Sequence, residues 1–133
     1  MTKKRILTVD DYPLAAYTVR KTIEAFSRHE CDIEDFENPM DLLEVFDRDP
    51  QSIDMVITDF EMPQLRGNEL IKRLRELKPD LKIVVISAWL DSSTEDNQQL
   101  VEKEVRALNP DLICSKPFPD NWIELLDNIL EVE

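Results

Sequence analysis

The chain has 133 residues, 42% of them hydrophobic, which suits one domain with a core of its own, and residues 1–133 read as a single domain. A net charge of -13 argues against direct binding to nucleic acid or an anionic membrane, whose phosphates repel it. No run approaches the roughly 18 apolar residues of a membrane span, and the start, Met-Thr-Lys-Lys-Arg, leads straight into a strand-like segment, so a cytoplasmic protein is expected. Cys31 and Cys114 lack metal-ligand spacing and read as buried free thiols.

Taken in order, five strand-like runs alternate with helix-like segments. The first run, 5–10, contains Ile6-Leu7-Thr8-Val9 and ends in Asp10-Asp11. Residues 13–27 place Ala15, Val19, Ile23 and Phe26 at helical spacing, with Pro13 suited to the first turn. The second run, 31–36, is polar enough for an edge strand, and Leu42, Leu43 and Phe46 mark a helix over 39–47. The third, 53–58, carries Met55-Val56-Ile57 and leads into Asp59-Phe60-Glu61-Met62-Pro63. A helix over 67–77 presents Leu70, Ile71, Leu74 and Leu77. The fourth run, 82–87, carries Ile83-Val84-Val85-Ile86 and stops at Ser87; a helix over 94–108 follows, with Ser93 or Thr94 as its cap. The fifth, 112–115, ends in Lys116-Pro117-Phe118, and a last helix covers 120–130.

The first, third and fourth runs are apolar almost throughout, as strands covered on both faces should be. This alternation predicts an α/β sandwich with a parallel sheet and right-handed crossovers, whose ligands bind beyond the carboxyl ends of the strands. Three runs stop on charged residues there. Parallel neighbours bring Asp10, Asp11, Asp59 and Lys116 to one edge, an outline of a divalent-metal and phosphoryl site. A carboxylate can attack phosphorus to form an acyl phosphate, and a cation bound by neighbouring acids offsets the charge repulsion.

These residues, with Gly67 and Ser87-Ala88, resemble the receiver domain of two-component response regulators over essentially the whole chain. The resemblance implies a flavodoxin-like, doubly wound five-stranded parallel sheet in the order 2-1-3-4-5, flanked by five helices. It also implies that a histidine kinase or histidine phosphotransfer protein phosphorylates Asp59, that Asp10 and Asp11 bind Mg²⁺ (Mn²⁺ substituting) with Asp59 and the Glu61 backbone carbonyl, that Ser87 engages the phosphoryl group, and that Lys116 pairs with it. Such a protein modifies itself, is no enzyme in the ordinary sense, and signals to a downstream protein by altered contacts. Glu61 and Trp89 hold positions that tune phosphoryl lifetime in the family. Leu14, Tyr17, Pro117 and Phe118, with Pro119, are the expected partner surface.

Three departures stand out. The interval from Ser87 to Lys116 is about two helical turns longer than is usual in receivers, counted at 3.6 residues per turn. Ile113 stands where many receivers carry a Tyr or Phe, and Asn109-Pro110 replaces the usual Gly-Ala, Asn being able to take a left-handed turn. Two other functions remain open from sequence: a phosphorylation-independent interaction module, and a phosphatase of the haloacid-dehalogenase kind built on Asp59-Phe60-Glu61. A stand-alone receiver and the receiver of a longer regulator read alike.

Overall fold

Alternation of strand and helix sets the architecture of the computed structural model, which describes residues 3–60, 65, 67–87, 103, 106–115 and 121–131. The strands are β1 (Lys4–Val9), β2 (Cys31–Phe36), β3 (Met55–Asp59), β4 (Lys82–Ser87) and β5 (Leu112–Ser115). All pair in parallel, in the order β2-β1-β3-β4-β5. Four helices are described: α1 (Pro13–Phe26), α2 (Pro39–Arg48), α3 (Gly67–Leu77) and α4 (Trp122–Glu131), with a short 3₁₀ turn at Pro50–Ser52. The helix predicted over 94–108 falls mostly outside the described residues, as do Ser93 and Thr94.

Strand side chains alternate faces, so the central strands feed two cores. Leu7, Val9, Val56, Ile83 and Val85 pack with Leu42 and Phe46 of α2 and Leu70, Ile71 and Leu74 of α3. On the opposite face Ile6, Ile57, Val84, Ile86 and Cys114 pack with Val19 and Ile23 of α1 and Trp122, Leu126 and Leu130 of α4. The nearly continuous apolar runs therefore belong to strands covered on both sides, and polar β2 is an edge, as its sequence predicts.

Local chemistry agrees with each boundary. Pro13 and Pro39 open α1 and α2, where a missing N–H costs nothing, and the Asn38 side chain caps α2 by accepting from Met40 N at 2.9 Å. Asn109 takes φ 54°, the left-handed turn expected before β5. Arg75 of α3 donates to the carbonyls of Leu108 and Asn109, both at 3.0 Å, which ties that turn to the α3 layer. Burial pushes the Cys114 thiol up to about 11, so at neutral pH it stays protonated in the core; Cys31 is half-buried rather than buried.

Two details differ from the periodicity. Phe26 is 73% exposed and Leu77 is 41% exposed, although both continue the apolar stripes of α1 and α3. Each is the last residue of its helix, where the period persists but the covering layer ends. On α1 the buried small residue is Ala16, while Ala15 is half-buried.

Candidate functional site

The site grows from the parallel register. β1 and β3 are neighbours, Val9 pairing with Thr58, so the residues that follow, Asp10-Asp11 and Asp59, leave the sheet side by side. Carboxylate oxygens of Asp10, Asp11 and Asp59 all lie within 4.8 Å of one another. Asp10 is buried, Asp59 half-buried and Asp11 exposed.

Backbone contacts hold this edge. Asp10 N donates to Phe36 O at 3.1 Å, tying the end of β1 to the end of β2, and the Asp10 carboxylate accepts from Tyr12 N at 2.9 Å. Phe60 N donates to Ile86 O at 3.1 Å, which binds the end of β3 to β4. Gly67 N then donates to Phe60 O at 2.7 Å, closing the loop that leaves Asp59. A Cβ on Gly67 would stand 2.8 Å from Phe60 Cα and 2.9 Å from the Asp59 carbonyl oxygen, closer than side chains tolerate. The glycine is therefore required by close approach of α3 to the Asp59-Phe60 peptide, a reason its sequence position alone does not reveal.

Three carboxylates at this spacing repel one another, and hard oxygen donors without His or Cys suit Mg²⁺ or Mn²⁺. The donor set thus fits the implied ion, and Asp10, Asp11 and Asp59 are the residues that could hold it.

Of the other site residues read from sequence, Ser87 ends β4 in register with Ser115 of β5, which puts its backbone at the same sheet edge. Lys116, Glu61, Trp89, Pro117, Phe118 and Pro119 lie outside the described residues. Leu14 and Tyr17 are 60% and 47% exposed on α1, directly after the acidic pair, and Tyr12 is 62% exposed beside them. Arg20 and Lys21 lie over the Tyr17 ring, 5.2 and 5.6 Å from its centroid. Ile113 packs half-buried against the α2/α3 core.

Sequence reading missed the acids on the β2 side of the site. A cavity of about 470 Å³ is lined by Asp11, Asp35, Phe36, Glu37, Asn38 and Asp41. The signal was present in the order 2-1-3, which sets the end of β2 against the end of β1.

Comparison with known proteins bears on the same residues. The family model described as the response regulator receiver domain matches residues 6–121. The response regulator receiver protein CpdR of Brucella abortus is 30% identical over 138 residues, covering 98% of this chain and 94% of that protein. The two-component response regulator ORR1 of Oryza sativa subsp. japonica is 31% identical over 129 residues, covering 93% of this chain but 54% of its own length, so this chain spans about half of that relative. Among solved structures, a CheY-like receiver domain protein from Methanospirillum hungatei JF-1 superposes with a TM-score of 0.75 at 21% identity, covering 98% of this chain and 95% of that one, a likeness of fold. A matching family model over most of the chain, a relative alike end to end and the 2-1-3-4-5 sheet together make this chain a member of the response regulator receiver domains of two-component signalling.

Proposed function

We propose that the protein is a Mg²⁺-dependent phosphoacceptor that takes a phosphoryl group onto Asp59 from a histidine kinase or histidine phosphotransfer protein and signals by changed protein contacts. The supporting observation is the convergence of the Asp10, Asp11 and Asp59 carboxylates within 4.8 Å at the ends of adjacent parallel strands. In the reaction, an Asp59 carboxylate oxygen attacks phosphorus in line with the phosphohistidine P–N bond. That bond breaks as the O–P bond forms, and the imidazole leaves with its electron pair and takes up a proton. Asp10, Asp11 and Asp59, with the Glu61 backbone carbonyl, would hold Mg²⁺, which would supply positive charge against the repulsion between nucleophile and donor.

Ser87 and Lys116 complete the reading as the hydroxyl and ammonium that receive the remaining phosphoryl oxygens. Glu61 and Trp89 set how long the acyl phosphate survives, Trp89 by limiting access of water. Leu14, Tyr17, Pro117 and Phe118 form the docking surface for the phosphodonor. The protein changes only itself, acts as one cytoplasmic domain over residues 1–133, and turns over no external substrate.

The test is intact mass after incubation with acetyl phosphate and Mg²⁺. The expected result is a gain of one phosphoryl group that disappears on chelation and in Asp59→Asn. No gain, combined with failure to bind the fluoroberyllate analogue, would sink the reading in favour of a phosphorylation-independent interaction module.

A further inference from the structure

We infer that the groove between α2 and α3 is a docking surface distinct from the α1 face beside the site, and that its occupant is an amphipathic helix of a partner protein with Lys or Arg flanking an apolar stripe.

The groove has a volume of about 410 Å³ and takes its apolar lining from Met40 and Leu43 of α2 and Leu77 of α3. Met40 is 46% and Leu77 41% exposed, two of the six large hydrophobic side chains that stand in solvent among the described residues. Three of the others, Tyr12, Leu14 and Tyr17, belong to the α1 face, and Phe26 ends that helix. Met40 and Leu77 come from different helices, far apart in the chain, yet share one concave surface. The core beneath is already filled by Leu42 and Phe46 of α2 and by Leu70, Ile71 and Leu74 of α3, and neither Met40 nor Leu77 is part of it. Packing of the fold therefore does not require apolar side chains at these two positions.

The charges around the groove specify the partner. Glu44 pairs with Arg48 at 3.2 Å and Arg73 with Glu69 at 3.4 Å, so each is answered within its own helix. Asp47 of α2 and Glu76 of α3 are exposed and have no ion pair among the described residues. The groove thus offers apolar surface together with one unanswered negative charge from each of its two helices. Apolar side chains flanked by cations complement such a surface. Its α2 lining runs from Met40 to Asp47, about two turns or ~10 Å, which matches the i, i+4, i+7 anchors of a docked helix. The flexible Met40 thioether adapts to the shape of those anchors. A second copy of this chain is a poorer occupant, because a two-fold contact sets Asp47 and Glu76 against the same acids.

The probes are two synthetic helical peptides of about 14 residues with Leu at i, i+4, i+7 and i+11 and either Lys or Glu on the flanks. In NMR spectra of the whole chain, the lysine-flanked peptide is expected to shift the amides of Met40, Leu43, Asp47, Glu76 and Leu77, with a Kd below about 1 mM at low salt that weakens at about 0.3 M. The glutamate-flanked peptide should bind at least about ten-fold more weakly. Met40→Asp/Leu77→Asp should abolish binding, and Asp47→Asn/Glu76→Gln should remove most of the preference between the peptides. Phe26→Ser, at an exposed ring outside the groove, should match wild type. All five positions are exposed, and unchanged melting temperatures would verify that the variants fold. Binding of neither peptide, equal binding of both, shifts centred on Leu14 and Tyr17, or a dimer in sedimentation that Met40→Asp/Leu77→Asp dissolves would each overturn the inference. None of these readouts passes through Asp59, so the outcome is separate from that of the phosphoacceptor reading.

Discussion

Gly67 shows how one missing Cβ supports the chemistry of a residue eight positions away. Its amide holds Phe60 O at 2.7 Å and its Cα faces the Asp59-Phe60 peptide with no space for a methyl group. The obstacle is backbone, which cannot rotate aside as a flexible side chain would. Gly67→Ala is therefore expected to destabilise the fold by about 1–3 kcal/mol, the usual range for overpacking. It should also slow phosphorylation of Asp59, because the peptide carrying the nucleophile must shift. Denaturant titration and the acetyl phosphate rate check the two parts separately, and full stability would contradict the steric account. The sequence displays Gly67 as its only glycine, but a close approach between α3 and β3 is a property of packing and has no local signature.

At the scale of elements, α4 is joined to the end of α1 by a buried acid. Asp127 is 1% exposed, accepts from Arg28 N at 2.9 Å, and receives the Ser27 hydroxyl. The Ser27 oxygen in turn accepts from His29 N at 3.1 Å. Around this pair, Arg28 and His29 reach Glu131 at 2.8 and 3.2 Å, a mutual attraction that lowers the Glu131 carboxyl from its ordinary value, chiefly through the Arg28 hydrogen bond. Asp127→Ala leaves a part-buried amide and hydroxyl without their acceptor, and a loss of about 1–3 kcal/mol is expected. Thermal unfolding measures it. Glu131→Gln, at an exposed ion pair, should move the midpoint far less, and comparable losses in both variants would count against the assignment. The helix itself was legible from its apolar spacing. Asp127 was not, since an acid among Leu125, Leu126 and Ile129 reads as a solvent-facing position until α1 is placed beside it.

The same limit explains Phe26 and Leu77. Period identifies a helix and the direction of its apolar face, but carries no information about where the neighbouring layer stops. Exposure at the final residue of a helix is decided by the extent of the sheet and helices around it.

For the whole molecule, three carboxylates within 4.8 Å gather negative charge at one end of the sheet, where a bound divalent cation would offset it. If Mg²⁺ binds the folded state alone, a concentration ten times its Kd should add about 1.4 kcal/mol of stability. That corresponds to a rise of roughly 4–7 °C in Tm for a domain of this size. Chelation should reverse the rise and Asp11→Asn should abolish most of it; an equal rise in Asp11→Asn would place the ion elsewhere.

What the sequence by itself determined is the part written in local pattern. Apolar runs marked strands covered on both faces, helical spacing marked the layers, and charged residues at the ends of Ile6–Val9 and Met55–Thr58 marked a site at the carboxyl edge. Strand order entered through resemblance to a family, because parallel strands of similar composition do not encode which neighbour each will pair with. The folded molecule alone sets the distance between Asp10, Asp11 and Asp59, the need for glycine against Phe60, the burial of Asp127 and the gathering of Glu37 and Asp41 with Asp11 around one cavity. Each depends on residues far apart in the chain meeting in space, and such meetings are set by the packing of layers against the sheet.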